Sequence, residues 1–194
     1  MSVAFYLRYI YCSAIGFLRH IRLESLHRIL FYCLMFTTCR THAQPLTTVA
    51  FVDINRYCGR WYEIASIPQR FQNGCSATTA DYSLSNKGYI IVENRCNRGA
   101  IHPKISSIKG KAYVVKNSGN AKLRVQFFWP FTGKYWIIEL ADDYSYAVVG
   151  HPNRKYLWIL SRTPTMPIGI YSEVLEKIRS KGYDISRIVM TCQK

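Results

Sequence analysis

Short runs of apolar and polar residues follow one another from residue 61 to residue 162, and turn-forming residues separate each run from the next. Several of these runs alternate with a period of two, which places apolar side chains on one face of a strand. Many short strands of this kind are typical of an antiparallel sandwich or barrel. The pattern predicts eight strands, over residues 61–66, 78–84, 89–94, 107–115, 122–129, 135–140, 146–150 and 156–162.

The connections between these strands alternate in length. The short ones, such as 85–88 and 117–120, contain Asn and Gly residues, which tolerate the positive φ that tight hairpins require. The long ones lie at 68–76, 96–106, 130–133 and 151–155. In an up-and-down barrel successive connections lie at opposite ends, so the long loops gather at one mouth. The prediction is an all-β, eight-stranded antiparallel up-and-down barrel with one open and one closed end.

A single helix is predicted after the barrel. Pro164 and Pro167 end strand pairing, and apolar residues then recur at i, i+3, i+4 and i+7, namely Tyr171, Val174, Leu175 and Ile178. Gly182 is well placed to end this helix in the left-handed conformation. The apolar stripe is predicted to pack on the barrel wall, and residues 185–190 are predicted to form a short ninth strand.

Residues 1–43 do not share the strand pattern and are predicted to be an export leader. Basic residues precede a run of eleven uncharged residues at 29–39, which is too short to span a bilayer but suits a secretory signal. The folded domain is then 44–194. Two processing sites compete, cleavage after Ala43 and lipid attachment at Cys39, and a retained leader is a third alternative.

The chain is strongly basic, with a net charge of +15. Without the five Arg and one Glu of the leader, 21 basic and 10 acidic residues leave the domain at +11. Such a charge favours anionic surfaces, including phospholipid and lipopolysaccharide head groups. The Lys and Arg residues are scattered and form no nucleic-acid-binding motif. An anionic membrane surface is therefore a predicted partner, and nucleic acid is not.

The domain has four Cys residues, and an even number behind an export signal predicts disulfides. A hairpin that turns near residues 86–87 places Cys75 almost opposite Cys96. With one bulge allowed in the hairpin, their Cα atoms come within the roughly 4.4–6.8 Å that a disulfide requires. This pairing leaves Cys58 to bond with Cys192.

A Gly, a Trp and an Arg are predicted to meet at the closed end. Gly59 and Trp61 begin the first strand and Arg162 ends the eighth, so the guanidinium can lie over the indole. Asp143 and Tyr144 lie at the same end, in the short turn between strands six and seven. This combination resembles the lipocalin signature, with Asp142 where lipocalins commonly carry Thr. The chain from about residue 52 to 192 is similar to the bacterial outer-membrane lipocalins and apolipoprotein D.

The resemblance implies a calyx, and alternation indicates what points into it. Trp158 and Leu160 share a face with Arg162, while Phe127, Trp129, Phe131 and Tyr135 gather around the link between strands five and six. Strand parity leaves the direction of Glu63 and Glu139 open. By resemblance to apolipoprotein D, the predicted ligand-binding residues are Tyr82, Phe127, Tyr135, Tyr146 and Trp158.

The family's function implies a lipid carrier. A fatty acid or lysophospholipid is the expected ligand, in transport, storage or maintenance of the cell envelope. The expected location is the periplasmic side of the outer membrane, or alternatively secretion. Arg70, Arg98, Lys104 and Lys134, on the open-end loops, can attract an anionic head group. No cofactor is expected, the protein is expected to be a monomer or dimer, and another small hydrophobic ligand is the alternative cargo.

The sequence does not predict an enzyme. It contains no Ser-His-Asp arrangement, phosphate-binding loop or metal-ligand spacing, and His102 and His151 are expected at the surface. One alternative function follows from the resemblance, a Cys-dependent isomerase of the prostaglandin D synthase type.

The resemblance also implies an alternative disulfide pairing. Apolipoprotein D and many lipocalins join positions that correspond to Cys75 and Cys192.

Overall fold

The computed structural model describes residues 44–99 and 104–193. The predicted leader with Cys39 lies outside the described residues, and so does His102. The first eight strands of the described residues follow one another in the predicted order. The strands are β1 Gly59–Ser66, β2 Cys75–Leu84, β3 Ile90–Arg98, β4 Lys104–Val114, β5 Lys122–Phe128, β6 Phe131–Leu140, β7 Tyr146–Gly150 and β8 Leu157–Ser161.

These eight strands form one antiparallel sheet that closes on itself. The order runs from β2 through β8 to β1, and β1 also pairs with β2. Tyr62 of β1 accordingly lies opposite both Thr79 of β2 and Ser161 of β8. Closure gives β1 and β2 a partner on both sides, which satisfies their backbone groups. The predicted up-and-down barrel is confirmed.

Several strands extend further towards the open end than the sequence pattern predicts. β2 pairs from Cys75, opposite Arg98 of β3, and β6 pairs from Phe131, opposite Phe128 of β5. These added segments lack regular apolar alternation, but backbone hydrogen bonds do not depend on side-chain type. The predicted link 130–133 is thereby reduced to Trp129 and Pro130. At the closed end, the short turns contain the expected positive-φ residues, including Gly88 at +78°.

Two layers of buried residues sit on opposite sides of the barrel wall. The inner cluster lies inside the barrel and includes Trp61 and Leu123. The outer cluster lies between the wall and helix α2, Ile168–Ser180, where Val174 and Ile178 are fully buried. Gly182 follows the helix with φ of +81°. The predicted helix, its apolar stripe and its ending are confirmed.

The segments flanking the barrel differ from the prediction in two places. A single helical turn, α1 Ile54–Tyr57, precedes β1 and was not predicted because it is too short to show a helical period. Its start is visible only in Asp53, whose Oδ1 accepts the N–H of Asn55 at 2.9 Å. The tail forms a 3-10 turn, Ile185–Arg187, before a two-residue strand β9, Val189–Met190. The predicted strand over 185–190 is therefore mostly wrong.

The first predicted disulfide is present. Cys75 and Cys96 are bonded, with their Cα atoms 5.4 Å apart. The bond joins β2 to β3 near the open end, where the strands begin and end. This confirms the pairing obtained from the hairpin register and excludes the alternative bond between Cys75 and Cys192.

The second predicted disulfide is wrong, because Cys58 and Cys192 are both free. The tail pairs with the open-end part of β1 through Ala65, and the Cys192 carbonyl accepts the Ala77 N–H at 2.6 Å. Cys58 precedes β1 at the opposite end. At about 3.3 Å per residue, the strand between them holds the two thiols well beyond bonding distance.

Candidate functional site

Trp61 and Arg162 meet at the closed end as predicted. The Trp61 side chain is fully buried, and the Arg162 guanidinium carbon lies 3.8 Å from the centre of its ring. Arg162 also donates to the carbonyls of Arg56 at 2.6 Å, Tyr57 at 3.2 Å and Arg60 at 2.9 Å. Partial burial lowers the pKa of Arg162 from its ordinary value. The guanidinium thus ties α1 and β1 to the end of β8.

The other signature residues support this closure. Gly59 has φ of +98°, and a Cβ there would lie 3.3 Å from Nη1 of Arg162. The Tyr144 hydroxyl accepts the Asp53 N–H at 2.8 Å and so fixes the start of α1. Asp143 stabilises its own turn, since Oδ1 accepts the Ser145 N–H at 2.9 Å. Hydrogen bonds from the Ser145 side chain and then from its backbone N–H lower the pKa of the Asp143 carboxyl. Asp143 is therefore a turn residue, while the others build the floor.

Above this floor the barrel encloses a cavity of about 410 Å³. Four of the five predicted ligand-binding residues line it, and each belongs to a different strand: Tyr82, Phe127, Tyr135 and Trp158. The rest of the lining combines aliphatic residues, including Val92, Val125 and Leu160, with polar and further aromatic ones. A concave, mostly apolar space of this size is the usual form of a small-molecule site. That these four residues contact a ligand remains a prediction.

Tyr146 is a correction to the predicted set. It packs with the outer cluster, beneath α2, and its hydroxyl accepts a hydrogen bond from Lys177 Nζ at 3.2 Å. Strand β7 places Ala147 and Val149 inside, so by alternation Tyr146 and Val148 face outwards. All five residues of this strand are uncharged, so its sequence does not show which face is buried.

A buried carboxylate is one of the polar groups of the cavity wall. Glu63 is 5% exposed and lines the cavity. Its Oε1 accepts from Ser66 at 2.8 Å and Thr191 at 2.7 Å, and its Oε2 accepts from Gln72 at 2.9 Å. The Gln72 Oε1 in turn accepts from Trp158 Nε1 at 3.2 Å. The C-terminal tail, the first open-end loop and the cavity wall are joined in one network.

The register of β1 and β6 decides the direction of both Glu63 and Glu139. β1 alternates inwards from Trp61 to Glu63 and then shifts register before Ala65. β6 shifts register between Ile137 and Glu139, which turns Glu139 outwards to meet Lys181 Nζ at 3.0 Å. Such single-residue irregularities reverse the side-chain direction of the residues after them. Sequence alternation alone gave no means of placing them.

The mouth carries exposed aromatic side chains. Phe128, Trp129 and Phe131 are 68%, 86% and 76% exposed. Phe128 and Phe131 also line the cavity, as does the exposed Lys134. Arg70, Arg98 and Lys104, the other predicted cations of the open end, are exposed as well. The predicted aromatic portal therefore exists and stands beside positive charge.

Metal ligands, membrane-spanning helices and reactive side chains are the other features that bear on function. No group of three or more His, Cys, Asp or Glu side chains within the described residues could hold a metal ion. Among the same residues, no helix is long and apolar enough to cross a membrane. Cys58 is half-buried, and burial raises the pKa of its thiol. His151 lines the cavity, with Nδ1 accepting the Asn153 N–H at 3.2 Å.

Comparison with known proteins adds to this geometry. Residues 52–193 match the family described as Lipocalin-like domain. The chain belongs to the lipocalin family. This lipocalin is 39% identical over 159 residues to the outer membrane lipoprotein Blc of Vibrio cholerae, covering 80% of this chain and 91% of that protein. It is 33% identical over 150 residues to apolipoprotein D of Bos taurus, covering 73% of this chain and 77% of that protein.

A solved structure agrees with the barrel. Insecticyanin from the tobacco hornworm Manduca sexta matches this lipocalin with a TM-score of 0.61 at 21% identity, covering 76% of this chain and 84% of that chain. At that identity the match shows the fold. Family membership and the two relatives support binding of a small hydrophobic ligand by the lipocalin, and the outer membrane lipoprotein relative supports an exported protein.

Proposed function

We propose that this lipocalin carries a single-chain amphiphile, a fatty acid or a lysophospholipid, and serves lipid transport, storage or maintenance at the cell envelope. The supporting observation is the apolar cavity of about 410 Å³, closed below by Trp61 and open above at an aromatic rim. The ligand's hydrocarbon chain lies inside, and its head group stays at the mouth. Glu63 disfavours an anionic head group deeper in the cavity, whereas Lys134 at the mouth attracts one.

The apolar wall supplies enough energy for such a ligand. Each methylene removed from water contributes about 0.8 kcal/mol. A chain of about ten carbons therefore gains about 8 kcal/mol before the costs of ordering the ligand, and a micromolar complex requires about 8.2 kcal/mol. Longer chains meet those costs with a margin.

The open end suits an anionic membrane surface as the place of loading. Trp129 and Phe131 project at the rim, and aromatic rings of this kind favour the interface between lipid and water. The exposed Lys134 and the open-end cations Arg70 and Lys104 add charge of the sign that anionic head groups attract. Export, with or without an anchor at Cys39, brings the domain to such a surface. Secretion with another small hydrophobic cargo is the alternative.

Neither free thiol has the properties of a catalytic nucleophile, which favours binding over catalysis. The cavity lining contains no Cys among the described residues, and the raised pKa of Cys58 is the opposite of what a thiolate nucleophile needs. Cys192 lies exposed on the tail. The isomerase alternative therefore has no nucleophile in the described part of the cavity.

Replacing Trp158 with alanine is expected to raise the Kd for a fluorescent fatty acid by about tenfold, because it removes one wall of the cavity. The delipidated protein is titrated with the probe, and the unaltered protein should bind with about one-to-one stoichiometry. Trp136→Ala is the matched control, since Trp136 packs on the outer cluster. No displaceable binding across several fatty acids and lysophospholipids would contradict the proposal.

Replacing Trp129 and Phe131 together with alanine is expected to reduce binding to vesicles rich in phosphatidylglycerol by about tenfold, because two interfacial anchors are lost. Co-sedimentation measures the bound fraction, which should also fall with added salt. Phe51→Ala is the control, since Phe51 is 63% exposed and lies near the turn at Gly119, at the closed end. Equal losses in both variants would argue against docking through the mouth.

A further inference from the structure

Three tyrosine hydroxyls form a hydrogen-bonded chain at the closed end of the cavity. The Tyr135 hydroxyl lies 3.0 Å from that of Tyr57 and 2.7 Å from that of Tyr82. Tyr57 and Tyr82 are only 1% and 4% exposed. The rings pack as well, with the Tyr57 and Tyr82 centroids 5.5 Å apart. The three phenols form a fixed cluster, which we call the phenol chain.

The phenol chain has one more hydrogen-bond donor than it uses. Each hydroxyl can donate one hydrogen bond, so three donors are present. Two contacts join the three oxygens, and each contact uses one donor. Among the described residues, these three hydroxyls make no hydrogen bonds other than these two. One O–H therefore has no protein acceptor, whichever way the chain is oriented.

Tyr82 and Tyr135 line the cavity, whereas Tyr57 lies behind them against Trp61. The two hydrogen bonds can be oriented in three ways, and two of these leave the unused donor on Tyr135 or Tyr82, where it faces the cavity. A ligand acceptor in the cavity favours these two orientations over the third, which leaves the unused donor on Tyr57.

The height of Tyr82 and Tyr135 in the barrel follows from the register. Tyr82 lies opposite Gly59, the first residue of β1, and Tyr135 lies opposite Leu123, the second residue of β5. Both strands start at the closed end, so the donor is presented to the deep part of the cavity.

The phenols stay protonated in this environment. Burial raises the pKa of Tyr57, Tyr82 and Tyr135 above the ordinary value for tyrosine. Each remains a neutral donor well above neutral pH. A plain alkyl chain that fills the cavity displaces any water from this position and leaves a buried O–H without an acceptor, which weakens binding.

We propose that the phenol chain is a subsite for a neutral oxygen atom carried on the distal part of the ligand, such as a keto, hydroxyl or ether oxygen. The inference rests on the proposed lipid-carrier function and narrows it to oxygenated long-chain amphiphiles. One phenol O–H donates to the ligand oxygen, which completes the hydrogen bonding of the phenol chain.

A neutral acceptor suits this position better than a carboxylate. The nearby guanidinium of Arg162 lies on the far side of Trp61 and donates to the carbonyls of Arg56, Tyr57 and Arg60. Glu63 already places one negative charge in the cavity wall. An anion at the phenol chain would be desolvated against a single neutral donor, which is unfavourable. The head group of a fatty acid therefore does not occupy the subsite.

The test compares hexadecanoic acid with a series of hexadecanoic acids that carry one keto oxygen, moved stepwise along the distal half of the chain. Each competes with a fluorescent fatty acid for the full-length delipidated protein. We expect one or two positions to bind about tenfold more tightly than hexadecanoic acid, because only there does the keto oxygen reach the phenol chain. Elsewhere the buried oxygen should weaken binding.

The double variant Tyr82→Phe/Tyr135→Phe removes both hydroxyls that line the cavity. Within this variant, the ratio of the Kd for hexadecanoic acid to the Kd for the favoured keto acid should fall from about ten to about one. The control Tyr89→Phe/Tyr113→Phe removes two hydroxyls from a ring pair whose centroids are 5.8 Å apart and which does not line the cavity. This control should behave as the unaltered protein does.

A spectroscopic measurement keeps the test independent of the variants' folding. With ¹³C at the keto carbon, the C=O stretch of the favoured ligand should move to lower frequency on binding to the unaltered protein. Two results would overturn the subsite: hexadecanoic acid binds but no keto position improves on it, or the advantage of the favoured keto acid over hexadecanoic acid survives in the double variant. If neither hexadecanoic acid nor any keto acid binds, the carrier function itself fails.

Discussion

Replacing Trp61 with alanine is expected to lower the free energy of unfolding by about 3–5 kcal/mol. The indole is fully buried beneath the cavity, donates from Nε1 to the Tyr57 carbonyl at 2.8 Å and lies under the Arg162 guanidinium. The variant leaves a void in the floor and removes the surface on which Arg162 stacks. Urea unfolding followed by circular dichroism measures the change.

Trp129→Ala is the matched control, because Trp129 is 86% exposed and its loss should change the free energy of unfolding by no more than about 0.5 kcal/mol. Trp61 is not among the cavity-lining residues, so folded Trp61→Ala protein should still bind a fatty acid. Similar losses of stability in the two variants would show that the floor does not depend on the indole.

The double variant Cys75→Ala/Cys96→Ala is expected to lose about 3 kcal/mol of unfolding free energy. The disulfide closes a loop of 21 residues, and its removal frees that loop in the unfolded chain. In reductant, the free energy of unfolding of the unaltered protein should fall by a similar amount, while that of the variant should not change.

Cys58→Ala/Cys192→Ala is the control for the disulfide, since both thiols are free and Cys192 is exposed. Its stability should remain close to that of the unaltered protein and should still fall in reductant. If this control instead lost its response to reductant, the bond would join Cys58 and Cys192 and the assigned pairing would be incorrect.

Local features of the sequence predicted the barrel and its closed end. β7 has the predicted bounds, Tyr146–Gly150, because turn residues flank it on both sides. The meeting of Trp61 with Arg162 follows from the alternation of short and long connections. The disulfide between Cys75 and Cys96 follows from the position of the hairpin turn together with one bulge, and the strands do shift register between Ser76 and Thr79.

The candidate site could be predicted only in part. Strand alternation placed Trp158 on the same inward face as Arg162, and resemblance to apolipoprotein D indicated Phe127 and Tyr135; all three line the cavity. Strand alternation could not place Tyr146, because every residue of its strand is uncharged. It also left Glu63 undecided, because that decision required the register of β1 and the position of its irregularity.

The sequence by itself determined which segments become strands, which connections are tight and which two cysteines face each other across a hairpin. These properties depend on neighbours in the chain. Only the tertiary structure decided that Glu63 receives hydrogen bonds from the tail and an open-end loop, that Cys58 and Cys192 stay apart, and that three tyrosines share one hydrogen-bonded chain. Each of these depends on where distant strands meet once the barrel closes, and small register shifts that the sequence does not reveal set those meetings.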